Sequence, residues 1–167
     1  MPSQVVLQVG TDAPHFELAD ADMHMFSLEA QRGKNVVLYF YPKDGTPGCT
    51  MEANEFSDHE EEFARHDAIV VGISRDDCIS HASFRDKYGL SVQLLADPDG
   101  HVCKKYGVLY EKECSPEPGR SGNGHKKLAI QRSTFIIDKK GKLRHVFYGV
   151  HAHGHPQEIL NLIKEIK

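Results

Sequence analysis

Val36-Val37-Leu38-Tyr39-Phe40-Tyr41 runs directly into Pro42-Lys43-Asp44-Gly45-Thr46-Pro47-Gly48-Cys49-Thr50. The chain passes there from an unbroken apolar run to a segment punctuated by Gly and Pro that leads to a cysteine. Six apolar or aromatic residues without alternation predict a strand covered on both faces, the pattern of a sheet interior. The residues after Cys49 predict a helix. Thr46 is a natural N-cap, Pro47 suits the first helical position, and Cys49 falls two positions further in. The thiol is therefore expected at a strand-to-helix junction. Unpaired N–H groups and the positive end of the helix dipole favour a thiolate there, and the thiolate is the reactive form. A small buried filler is the plainer role for a free cysteine. The order of cap, proline and cysteine argues against it.

Working outward, four further segments predict strands: Ala68–Ser74, Val92–Ala96, Thr134–Ile137 and Leu143–Tyr148. The last two flank Asp138-Lys139-Lys140-Gly141-Lys142, a good hairpin turn. A weaker N-terminal hairpin is expected from Phe16–Leu18 and Met25–Leu28. Helices are predicted over Met51–His66, Asp77–Tyr88, Gly100–Tyr106 and Pro156–Ile166. The first carries Ala53, Phe56 and Phe63 on one face, interrupted by Glu60. The last carries Ile159, Leu162, Ile163 and Ile166 at helical spacing. The order is hairpin, β-α-β-α-β-α, β-hairpin, α. It predicts an α/β fold in the manner of thioredoxin, with a mixed central sheet flanked by helices and an N-terminal β-hairpin. Glu111 to Lys127 is polar and rich in Pro and Gly, and is expected to be a mobile surface loop.

The chain has 167 residues, 40% hydrophobic and 26% charged, which suits one soluble globular domain spanning 1–167. A net charge of −4 gives no electrostatic case for nucleic acid or an anionic membrane. The first residues lack a basic start and a signal-length apolar segment, so the protein is expected in the cytoplasm. The four cysteines, Cys49, Cys78, Cys103 and Cys114, contain no C-x-x-C pair and match no zinc or disulfide framework. His151-x-His153-x-His155 is expected to be a solvated turn rather than a metal site. No metal or cofactor is expected.

A cysteine that attacks an electrophile needs a stabilised thiolate, donors for its substrate and shelter from water. The helix start supplies part of the first. Thr46, three residues before Cys49, can turn its hydroxyl to the sulfur or to a bound oxygen. Pro42 and Pro47 stiffen the loop. Arg132 opens the strand that ends at Ile137, a placement that could bring a guanidinium to the same sheet edge. Glu52 could buttress it, or could be a surface carboxylate in a helix's first turn.

Pro42-x-x-x-Thr46-x-x-Cys49 resembles the peroxiredoxin signature. The fuller string, Tyr39 to Asp44 and then Thr46-Pro47-Gly48-Cys49-Thr50-x-Glu52-Ala53, is similar to the bacterioferritin comigratory, or PrxQ, subgroup. Gly10-x-x-Ala13-Pro14-x-Phe16-x-Leu18, Gly72–Asp76 and Arg132–Asp138 resemble further family segments, in the right order. The resemblance implies a thiol peroxidase acting on hydrogen peroxide and organic hydroperoxides. Cys49 would be the peroxidatic nucleophile, cycling through sulfenic acid. Thr46 would orient the peroxide. Arg132 would hold the thiolate and stabilise charge on the oxygens, and Pro42 would shield the sulfur. Thioredoxin or another thiol would be the reductant, and the protein a monomer or weak homodimer.

The chain departs from the subgroup at the resolving thiol. Asn54 and Arg85 stand where relatives carry it. Cys114, Cys78 or an external thiol would have to react with oxidised Cys49, and Cys103 is expected to be a buried filler. A thiol–disulfide oxidoreductase or redox sensor on the same fold is the alternative. The absence of C-x-x-C counts against it, and Thr46 with Arg132 favours peroxide chemistry. A binding protein that kept the fold without turnover is a third class, disfavoured by the intact constellation.

Overall fold

The computed structural model describes residues 6–113 and 126–166. In chain order the strands are β1 (Glu17–Ala19), β2 (Met25–Ser27), β3 (Asn35–Phe40), β4 (Ala68–Ser74), β5 (Gln93–Ala96), β6 (Leu109–Glu113), β7 (Lys126–Ile130), β8 (Ser133–Ile137) and β9 (Leu143–Tyr148). The α-helices are α1 (Pro47–Asp58), α2 (Glu60–Arg65), α3 (Cys78–Tyr88), α4 (His101–Lys105) and α5 (His155–Glu165). The central sheet has the order β5-β4-β3-β8-β9. β3 pairs parallel with β4, and β4 parallel with β5, while β8 runs antiparallel to both β3 and β9. This is the mixed sheet expected, and β1 and β2 form the expected N-terminal hairpin.

The unbroken apolar run of β3 now has its reason. Alternate residues enter two separate cores. Val36, Leu38 and Phe40 pack with the N-terminal hairpin, α4 and Phe135. Val37, Tyr39 and Tyr41 pack with α1, α2, α3 and α5 on the opposite face. Because both faces are covered, no position in β3 has to be polar. Gly72 of β4 pairs with Tyr39, and a Cβ there would lie 2.6 Å from the Tyr39 ring, so only glycine lets the phenol cross the neighbouring strand.

Two expectations fail locally. The helix predicted over Met51–His66 is interrupted at His59, whose N–H is shared between Glu55 O and Phe56 O. The break leaves Glu60 exposed while Phe56 and Phe63 stay buried. One continuous helix would have set that carboxylate beside them, which is costly without a partner. The surface loop expected from Glu111 to Lys127 is wrong at both ends. Leu109–Glu113 and Lys126–Ile130 form an antiparallel ladder, with Leu109 opposite Ile130 and Glu113 opposite Lys126. Cys114 lies outside the described residues.

Candidate active site

Thr46 is the N-cap of α1 in extended conformation, Pro47 takes the first helical position and Cys49 the third. Thr46 makes no side-chain cap bond. Its hydroxyl donates instead to Lys43 O at 2.9 Å. No side chain of the loop therefore caps the first turn of α1, whose N–H groups are left open. Pro42 is exposed at the start of this loop.

β8 delivers the cation. Ser133 pairs with Phe40, so Arg132 arrives beside the carboxyl end of β3, where the loop to α1 begins. Its backbone carbonyl is fixed by Val150 N–H at 2.8 Å. Arg132 Nη2 donates to Cys49 Sγ at 3.3 Å, and Nη1 donates to Glu52 Oε1 at 2.7 Å. Glu52 lies one turn beyond Cys49 on α1 and is fully buried, so the surface role for it is excluded. Gly48 permits the approach, because a Cβ there would sit 3.2 Å from Arg132 Nη2.

The electrostatics follow from burial. Cys49 is 1% exposed and packs in the same core as Tyr39, Ala53 and Phe56. Burial pushes the Glu52 carboxyl up to about 7, against the pull of the Arg132 charge and hydrogen bond. Burial also works against the charge on Arg132, but Glu52 and Cys49 beside it more than offset this and raise its pKa. Tyr39 is held well above the usual phenol range, first by burial and then by Glu52 and Cys49. Among the described residues, Glu52 Oε2 and Tyr39 OH are buried without a hydrogen-bond partner.

The other cysteines are placed differently. Cys103 is the third residue of α4 and fully buried. Burial and the neighbouring Asp97 push its thiol far up. It is a core filler, as expected. Cys78 opens α3 and is half-buried. Arg85 pairs with Asp22 at 3.0 Å and Asp86 at 3.1 Å.

Some residues near the site were not foreseen. His155, expected in a solvated turn, is buried at the start of α5, with Nε2 2.8 Å from Thr134 Oγ1. Burial pushes its pKa down. Its only sequence signal was Pro156 at a helix start. Among the described residues no three His, Cys, Asp or Glu side chains gather as metal ligands, and no helix is long and apolar enough to cross a membrane. A hollow of about 120 Å³, lined by Ala13, His15, Arg32, Val36 and Asp138, lies at the opposite end of β3 from Cys49 and takes no part in the site.

Residues 9–146 match the AhpC/TSA family. The chain is 42% identical to a putative bacterioferritin comigratory peroxiredoxin of Coxiella burnetii, covering 92% of this chain and 97% of that one. Among solved structures it is similar to a cysteine-to-serine mutant of PrxQ from Xylella fastidiosa, at 32% identity and TM-score 0.84, covering 96% and 97% of the two chains. It is also similar to the bacterioferritin comigratory protein of Xanthomonas campestris, a structure described for alkyl peroxide reduction, at 33% identity and TM-score 0.79, covering 89% and 90%.

Proposed function

The chain belongs to the AhpC/TSA family, among its bacterioferritin comigratory peroxiredoxins, and from that premise we propose that Cys49 is the residue through which it reduces peroxides. The observation that carries the assignment is the donation from Arg132 Nη2 to Cys49 Sγ, with Glu52 holding the other arm of the guanidinium. A cation at that distance is a counter-charge for a thiolate and a donor to an oxygen that arrives beside it.

The Cys49 thiolate attacks one oxygen of ROOH. An S–O bond forms, the O–O bond breaks, and its electron pair leaves on RO⁻, which takes a proton from solvent. Cys49 is oxidised to the sulfenic acid and the peroxide is reduced to ROH. Arg132 and the open N–H groups of the first turn stabilise the charge on the leaving oxygen, the oxyanion-hole type of catalysis. Thr46 accepts from the peroxide through its free lone pairs and orients it. Pro42 limits the approach of water to the sulfur. A second thiol then condenses with the sulfenic acid, forming a disulfide and releasing water.

Hydrogen peroxide and organic hydroperoxides are the proposed substrates, and thioredoxin or another thiol the reductant. Cys78, Cys114 or an external thiol resolves the sulfenic acid; Cys103 does not. The proposed setting is the cytoplasm, with residues 1–167 as one thioredoxin-like domain acting as a monomer or weak homodimer. One equivalent of peroxide should place a single oxygen on Cys49, trapped by a sulfenic-acid reagent, or convert Cys49 to a disulfide. Peptide mass spectrometry reads both products. Peroxide consumption with an unmodified Cys49 would refute the assignment.

A further inference from the structure

The loop from β3 to α1 is held on its far side by a buried polar cluster. Asp44 stands midway between Pro42 and Thr46, with its side chain 5% exposed. Its Oδ1 accepts from Tyr41 OH at 2.6 Å, and its Oδ2 accepts from Ser80 Oγ at 2.9 Å. The same Oδ2 lies 2.7 Å from His81 Nδ1. Asp44 N–H donates to Asp76 Oδ2 at 2.8 Å, and Asp76 in turn accepts from Ser74 Oγ at 2.7 Å.

His81 is fully buried in α3, and its Nε2 lies 2.8 Å from Leu95 O in β5. A carbonyl oxygen only accepts, so Nε2 carries a hydrogen. Nδ1 lies 2.7 Å from Asp44 Oδ2 and 3.4 Å from Tyr41 OH. The His81 and Asp44 side chains therefore meet in a hydrogen-bonded contact out of water.

A buried polar contact of this kind adds modest net stability, but removing one partner leaves the other unsatisfied. It specifies one arrangement of the groups that meet there. The groups here are the loop that carries Thr46, the second turn of α3 and the end of β5. Resting on the peroxidase reading above, we infer that Asp44 and His81 are positioning residues for peroxide. They fix the loop so that Thr46 and the open first turn of α1 meet the peroxide at the distance Cys49 requires. Neither touches the sulfur or its Arg132 and Glu52 partners.

The wild-type protein gives the first test. Ring-selective ¹⁵N NMR at neutral pH should show a His81 ring hydrogen on Nε2, protected from exchange. A His81 ring hydrogen that exchanges freely with water overturns the contact. The second test compares His81→Gln, Asp44→Asn and the double variant. Peroxide reaction rates come from competition with a haem peroxidase, and Cys49 alkylation by iodoacetamide is followed in parallel. Each single variant should react with peroxide ~10- to 100-fold more slowly, the cost of a small misplacement. The double variant should be no slower than the worse single, and alkylation, which needs the thiolate but not the peroxide donors, should be unchanged or faster. Unchanged peroxide rates, losses that multiply in the double variant, or equal losses in both reactions would sink the inference. Failure of the peroxidase reading itself would appear separately, as absence of peroxide consumption by the wild type.

Discussion

Cys49 and Cys103 occupy matching places on opposite faces of one sheet. Each follows a parallel strand of that sheet, each is the third residue of the next helix, and each is at most 1% exposed. Their neighbours differ in charge. Cys49 faces the guanidinium of Arg132. Cys103 faces the carboxylate of Asp97, which also fills the start of α4 by accepting from Cys103 N–H at 2.9 Å and Val102 N–H at 3.3 Å. The start of α1 has no such plug. A helix N-terminus and burial therefore do not make a cysteine reactive by themselves. The sign of the nearest charge and an unfilled first turn distinguish the two.

The largest effect should come from deleting each sulfur. Cys49→Ser should abolish peroxide turnover, because a hydroxyl there has no adjacent base to make it a nucleophile. Cys103→Ser should retain the wild-type rate in the folded fraction. A coupled assay with a thioredoxin system measures both. Loss of turnover in Cys103→Ser with the fold intact by circular dichroism would break the comparison.

The next largest tests the charge. Arg132→Met keeps much of the side-chain bulk and removes the cation and both donors. The second-order rate of Cys49 with peroxide should fall ~10²- to 10³-fold, the usual cost of losing one preorganised oxyanion donor. Stopped-flow mixing against a competing peroxidase gives that rate. A fall under tenfold would mean that the helix start carries most of the stabilisation after all.

Much of this was legible in the sequence, for physical reasons that also mark where legibility ends. The β3 run showed itself because a strand covered on both faces needs no polar position. Thr46, Pro47 and Cys49 were readable because capping is local. Arg132 was picked out by its place at the start of a strand and given its role by the family resemblance, and the register of β8 against β3 explains why it arrives at the sulfur. β6 and β7 were missed because Glu111-Lys112-Glu113 and Lys126-Lys127 carry charge on successive residues, while strand pairing satisfies only the backbone. Asp44 with His81, and Thr134 with His155, join residues 37 and 21 positions apart. No local spacing rule reaches across such separations.

A smaller effect tests the buried carboxylate on the α1 side, Glu52. Its carboxyl rises in the fold from the ordinary 4.5 to about 7, chiefly through burial. The folded protein thus holds this proton more tightly than the unfolded chain does. The contribution to stability is complete below pH 4.5 and is lost as pH rises through about 7, a change worth about 3 kcal/mol. Glu52→Gln removes the titration but can still accept from Arg132. Urea unfolding at pH 5 and pH 8.5 should show the variant gaining relative to wild type by about that amount at the higher pH. Parallel stability curves would show that Arg132 keeps Glu52 ionised throughout, and would strip the α1 side of its buried proton.

The smallest effect sharpens the difference between the two helix starts. Asp97 caps α4 through two N–H groups, so Asp97→Ala should cost about 1–2 kcal/mol of unfolding free energy. Thr46 holds the N-cap position of α1 but spends its hydroxyl on Lys43 O, so Thr46→Val should cost less than about 1 kcal/mol. Peroxide kinetics should reverse that ranking, with Asp97→Ala near wild type and Thr46→Val slower. Urea melts and peroxide rates on the same two variants decide the point. Equal stability losses would mean that Thr46 is an ordinary cap, and that the first turn of α1 is as filled as that of α4. The predicted inversion would mean that α1 leaves donors unpaired, at a modest cost in stability, where the peroxide has to bind.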